Sequence, residues 1–192
     1  MPLNPAPNVL PVSTPSEVEA RATVRELHPI VRIGADGALG VNPGVGLGAS
    51  LQLGIRSTHW ALWLRAGYLT STGRRFSAAA PGTIHGPTSE LQLAVCRLVS
   101  GQVTVSVCGF GGELWVYARG EGFDRDRHAL LNTAAVGASA ELLRTINSYF
   151  AIGPRLDLLV PLAPVRYQVS GEPGSWCMWP VAPRVGLGVE WR

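Results

Sequence analysis

The stretch VGLGASLQLGIRS, Val45 to Ser57, alternates without a break. Val45, Leu47, Ala49, Leu51, Leu53 and Ile55 share one parity, and Gly46, Gly48, Ser50, Gln52, Gly54 and Arg56 the other. A two-residue period puts the two sets on opposite faces of a β-strand, one apolar and one carrying glycine, small polar groups and an arginine. Two closed architectures use such a strand. A soluble barrel turns the apolar face inward around a ligand. A membrane barrel turns it outward to lipid and packs the polar face inside.

Working outward from that stretch, the 192-residue chain has no composition break and reads as one domain preceded by an extension. Hydrophobic residues make up 46% and charged residues 15%. No run approaches the roughly 20 apolar residues that a membrane-spanning helix needs. The apolar content lies in short alternating segments punctuated by 23 glycines and 15 prolines, the pattern of an all-β chain. Net charge is +3, and every basic residue is arginine. The start, MPLNPAPNVLPVSTPSE, has prolines at 2, 5, 7, 11 and 15 and neither the basic nor the apolar region of a signal peptide. Residues 1–28 therefore read as a proline-rich periplasmic linker and 29–192 as the barrel. An exported barrel needs a signal that this stretch does not supply, which fits a mature form or the remnant of a linker to a preceding domain.

Seven more segments repeat the alternation. Segment one (29–39) sets Val31 and Ile33 out, Arg32 and Asp36 in. Segment three (59–70) sets Trp60, Leu62, Leu64 and Tyr68 out, His59, Trp63 and Arg65 in. Segment four (89–99) sets Leu91, Leu93 and Val95 out, Glu90, Gln92 and Cys96 in. Segment five begins with Val103, Val105 and Val107 out and Thr104, Ser106 and Cys108 in. At Gly109, Gly111 and Gly112 a β-bulge would reverse the phase, so faces from Glu113 to Tyr117 stay unassigned. Segment six (131–142) is the weakest, with Val136 and Leu142 out, Thr133, Ser139 and Glu141 in. Segment seven sets Phe150, Ile152, Leu156, Leu158, Val160 and Leu162 out against Arg155 and Asp157. Segment eight sets Val181, Val185, Leu187, Val189 and Trp191 out against Arg184, Gly186, Gly188, Glu190 and Arg192.

The links between segments alternate in length, short near 56–58, 100–102 and 145–148 and long at 71–88, 120–130 and 164–180, with only the first hairpin, around 37–44, shorter than its role predicts. Outer-membrane barrels have short periplasmic turns and longer external loops. An even strand number places both termini on the periplasmic side. Two aromatic girdles follow: Trp60, Tyr149, Phe150 and Trp191 at the short-turn end, and Tyr68, Tyr167 and Trp179 at the long-loop end. On the inward parity Arg32, Arg56, Arg65, Arg155 and Arg184 meet Asp36, Glu90, Glu141, Asp157 and Glu190. This balance suits a narrow interior filled by ion pairs. The expected fold is all-β, a closed eight-stranded antiparallel up-and-down transmembrane barrel.

From residue 29 to the end the chain resembles the small eight-stranded outer-membrane barrels of Gram-negative bacteria, the OmpA and OmpX types. The closing VGLGVEW (185–191) is similar to their C-terminal assembly signal, except that Arg192 follows the final aromatic. That resemblance implies recognition by the barrel-assembly machinery and residence among outer-membrane lipid and lipopolysaccharide, as a monomer. CRLVSGQVTVSVC with its trailing GFGGELWV also resembles barrels of this kind with a paired-cysteine hairpin.

Cys96 and Cys108 share the inward parity across a tight turn. A register in which paired residue numbers sum to 204 sets them opposite for a disulfide, and a sum of 202 offsets them. Cys177, in SWCMWP, is left over. No cofactor is implied, and no His or Cys partners stand at metal-ligand spacing. His85 with Ser89 and Glu90, or His128 with Asp124 and Asp126, would make a rim cluster of the kind lipid A acyl-modifying barrels use, but the expected His-x-Ser pattern is absent. GVGLG at 44–48 lies inside a strand with no helix after it, so it is no phosphate loop. Arg74, Arg75, Arg125 and Arg127 read either as solvated loop residues, the latter pair partly neutralised by Asp124 and Asp126, or as bidentate ligands for lipopolysaccharide phosphates. Nucleic-acid binding lacks a basic stripe. The expectation is a plugged, non-enzymatic barrel with a structural or surface-interaction role through its long loops. The alternatives are a C-terminal membrane anchor, a soluble lipocalin-like binder and a lipid A-modifying enzyme.

Overall fold

The structure, a computed structural model, describes residues 27–75, 82–122, 128–163, 165–168 and 175–192. Twelve strands follow in chain order: β1 (His28–Leu39), β2 (Val45–Arg56), β3 (Trp60–Ser71), β4 (Arg74–Arg75), β5 (Thr83–His85), β6 (Thr88–Val99), β7 (Val103–Glu121), β8 (His128–Thr145), β9 (Phe150–Pro161), β10 (Arg166–Gln168), β11 (Ser175–Cys177) and β12 (Ala182–Trp191). Eight of them pair antiparallel in the cyclic order β1-β2-β3-β6-β7-β8-β9-β12, and β12 returns to β1. Closure leaves no edge strand unpaired.

The alternation decides which way each strand faces. Ile33 (64% exposed), Val107 (56%) and Leu187 (54%) stand outside, while Arg32, Asp157 and Glu190 are buried inside. An outward belt of leucine, valine and isoleucine runs around all eight staves, far beyond the apolar patches of soluble monomers. The soluble arrangement, apolar side inward, is thereby ruled out. Most staves are 12 residues long and β12 has 10, matching the roughly 9–11 residues of a tilted membrane strand.

Three connections are tight. Ser57 Oγ accepts the amides of His59 and Trp60 between β2 and β3, and Asn147 Oδ1 accepts those of Tyr149 and Phe150 between β8 and β9. The third is 100–102. His59 belongs to the first turn and is exposed, so it does not face the interior as its parity suggested. The β1–β2 link turns at Gly40 (φ 74°), where a Cβ would lie 2.4 Å from the Trp179 ring. Glycine lets Trp179 close over the link while its amide donates to Gly40 O at 2.9 Å.

At the long-loop end the chain keeps more order than "loop" implies. β7 and β8 pair in one register from Val103↔Arg144 to Arg119↔His128, with no bulge at the glycines. The phase therefore does not reverse: Leu114 and Val116 are fully buried inside, and Glu113 and Tyr117 face out. β5 and β6 pair with β7 in one common register, interrupted only at Gly86 and Pro87, where proline has no amide to give. β10 and β11 form a separate hairpin whose Tyr167 and Trp176 join Leu114, Val116, Leu159 and Met178 in an apolar core at that end of the lumen.

Candidate functional site

Inside the barrel the charges form two clusters. In the first, Asp36 on β1, Arg65 on β3, Glu90 on β6, Arg155 and Asp157 on β9 and Arg184 on β12 set three carboxylates against three guanidiniums. Arg65 reaches Asp36 and Asp157 at 2.9 Å each and Glu90 at 3.3 Å. Arg184 reaches Glu90 at 2.6 Å and Asp157 at 2.7 Å. Arg155 pairs with Asp36 and lies 3.2 Å from Asp157. The geometry cross-braces five staves through the lumen.

The second cluster gathers around Glu190, fully buried on β12. Arg32 contacts Glu190 and Glu141 at 2.5 Å each, and its guanidinium stacks 4.6 Å above Trp63. Arg56 and Arg192 reach Glu190 at 3.1 and 2.8 Å. Arg192 was absent from the ten residues expected here, although its inward parity was the signal. With it, three arginines face two glutamates. Buried as they are, these charges depend on their partners, because an unpaired buried charge costs several kcal/mol.

β7 brings no charge to the interior. Its inward face carries Thr104, Ser106, the disulfide, Phe110, Leu114 and Val116. Cys96 and Cys108 are bonded (S–S 2.00 Å) in the register whose numbers sum to 204. With Ile30, Ala61, Trp63 and Leu98 they make a second apolar cluster. Charge clusters, disulfide and the apolar core under the β10–β11 hairpin all lie inside the barrel. Cys177 is half-buried on β11, opposite Arg166.

At the short-turn end Tyr149, Phe150 and Trp191 stand outside, Phe150 stacked on Trp191 at 6.5 Å, with Trp60 half-buried on the outward parity of β3. At the other end Tyr68 and Trp179 are outside, but Tyr167 is not in the girdle. It is 5% exposed and packs against Trp176 at 5.1 Å, because its loop folds back as a hairpin over the lumen. Burial pushes its phenol above the usual range. Tyr117, whose face the sequence left open, stands outside in its place.

Of the residues weighed for rim catalysis, the structure separates Glu90 from His85. Glu90 points into the lumen and binds Arg184, whereas His85 lies on the outer parity. Asp124 and Asp126 lie outside the described residues, as do Arg125 and Arg127. Arg74 and Arg75 are exposed on β4. No group of metal-ligating side chains occurs among the described residues.

A closed eight-stranded antiparallel barrel with an apolar exterior and a cross-braced charged interior is the architecture of the small outer-membrane barrels. No family model matches the sequence, and no curated protein matches it. The fold does match solved structures. Neisserial surface protein A is 6% identical with a TM-score of 0.58, covering 86% of this chain and 96% of that one. A major outer membrane protein of Thermus thermophilus is 12% identical with a TM-score of 0.59, covering 84% and 98%. Ail, the attachment invasion locus protein of Yersinia pestis, is 11% identical with a TM-score of 0.53, covering 86% and 96%. At these identities what is shared is the fold.

Proposed function

We propose that this protein is an integral barrel of the bacterial outer membrane with both termini periplasmic and a sealed lumen. It is non-enzymatic and works through the surface at its long-loop end, in a structural or binding role. The observation that carries this reading is the inversion of polarity: leucine and valine outside on every stave, paired arginines and carboxylates inside. Water on the outer face would make that arrangement unstable, and lipid makes it favourable. The final VGLGVEW supports delivery by the barrel-assembly machinery, and Arg74 and Arg75 suit contact with lipopolysaccharide phosphates.

Two measurements test it. Reconstituted into planar bilayers, the protein should give no steady large conductance steps; their appearance would refute the sealed lumen. An epitope inserted between Arg75 and Thr83 should be labelled on intact cells while one at the N-terminus is not, and the reverse pattern would invert the topology. If the barrel were instead a lipid A-modifying enzyme, mass spectra of lipid A from expressing cells would show altered acylation.

A further inference from the structure

Above the aliphatic belt the outer wall over β3, β5, β7 and β8 carries charged and aromatic side chains. A groove of about 560 Å³ opens there, and its lining is sorted by height along the strands. Glu121 lines its top, and two residues lower one row runs across three strands in register, His85 paired with Arg119 and Arg119 with His128. All three line the groove. Two residues lower, Tyr117 pairs with Leu130, both exposed, and Tyr68 closes the side from β3. The row below sets Tyr68, Ser89, Trp115 and Asn132 in register, and only then comes Glu113, so the lower carboxylate is three rows from the basic one.

This ordering, cations over aromatic rings and Leu130, matches the interfacial depth at which the phosphate of an anionic lipid meets the start of its acyl chain. Glu121 Oε1 holds Arg119 Nε at 3.1 Å and orients the guanidinium along the strand. Arg75, paired with Thr83 on the same outward parity, adds a cation above the row. Counting Arg75 and Arg119 against Glu121 leaves the headgroup level positive even with both histidines neutral. On the wall formed by β1, β2, β9 and β12 the exposed apolar residues at that end include Leu39, Val45, Leu47, Val160, Leu162 and Trp179, and the described strand residues there carry no comparable basic row.

We infer that this groove is a binding site for one phosphorylated lipid of the leaflet at the long-loop end. Its phosphate is held by His85, Arg119 and His128, and an acyl chain lies against Tyr68, Tyr117 and Leu130. The inference rests on the membrane-barrel reading and adds a ligand class and a place. Phosphate recognition follows from the donors: guanidinium and imidazole N–H groups, with Arg119 able to grip two oxygens.

The test uses the full chain folded in a mild non-ionic detergent, with diphosphoryl lipid A as probe and retention of a single lipid read by native mass spectrometry. Gel mobility in SDS, unheated beside boiled, first establishes that each sample is a folded barrel; failure there defeats the barrel reading itself. With the barrel intact, the combined variant His85→Ala, Arg119→Gln, His128→Ala should weaken retention about tenfold. Should that variant not fold, Arg119→Glu alone serves, with the same expected direction. Dephosphorylated probe should bind as weakly as the variant does. Inorganic phosphate should not displace the lipid. Retention within about twofold of wild type in the variant, or equal retention of phosphatidylcholine, would overturn the site. Full displacement by inorganic phosphate would overturn the lipid as its occupant.

Discussion

Glu190 shows how much rests on one side chain. It is fully buried and receives Arg32, Arg56 and Arg192, so Glu190→Gln leaves three guanidiniums with Glu141 as their one carboxylate. The expected cost is about 3–5 kcal/mol, read from urea unfolding of the protein in lipid vesicles by tryptophan fluorescence. A loss below about 1 kcal/mol would mean that the cluster is solvated. The cysteines give a second prediction. Cys96 and Cys108 are 1% and 8% exposed, so a water-soluble reductant followed by a thiol label should mark Cys177 alone in the folded barrel and all three after boiling. Labelling of all three before boiling would contradict the sealed interior. Ten of the eleven charged residues in the two clusters were legible from parity, because charge on one side of an alternating strand has few places to go. Arg192 was read on that inward parity but, as the last residue after the closing aromatic, was left out of the charge network.

Strands were legible where side chains label both faces, as in β2 and β12, and not where glycine removes the label. At Gly109, Gly111 and Gly112 the sequence allows a bulge. The structure keeps register, since a Cβ on Gly112 would lie 2.0 Å from Leu91 O. Glycine serves there for close approach of the backbones rather than for a change of phase. The third long link was drawn too wide for a related reason: alternation in 118–121 and 128–130 is blurred by alanine, glycine and histidine, so the ends of the β7–β8 hairpin at 120–121 and 128–130 read as loop. Tyr167 went wrong because a loop's parity says nothing about which way its hairpin folds. Asn42 now stands out at this scale. Its Nδ2 donates to Gly86 O at 2.5 Å and to Thr88 Oγ1 at 3.1 Å, tying the β1–β2 link to the kink between β5 and β6. Asn42→Ala should speed proteolytic cleavage between Gly73 and Pro87 several-fold while leaving the barrel's SDS mobility unchanged. An unaltered cleavage rate would show that the kink is held by other contacts.

At the scale of the whole molecule, one pattern repeated eight times fixes three properties together: closure, an apolar exterior and an interior of paired charges. Their energetics are linked. Charged residues avoid lipid by pointing inward, inward charges need partners, and eight staves make a lumen narrow enough for partners to meet across it. What the molecule binds is written less plainly, because recognition depends on residues such as His85, Arg119 and His128 that lie far apart in sequence and meet only through the β5–β7–β8 register. The most direct measurement is gel mobility of the detergent-purified protein in SDS, unheated beside boiled, with and without reductant. A closed, ion-braced barrel predicts a compact band that shifts only on boiling, with reductant changing mobility only in the boiled sample. One unshifted band at either temperature, with the protein soluble once detergent is removed, would contradict a membrane barrel.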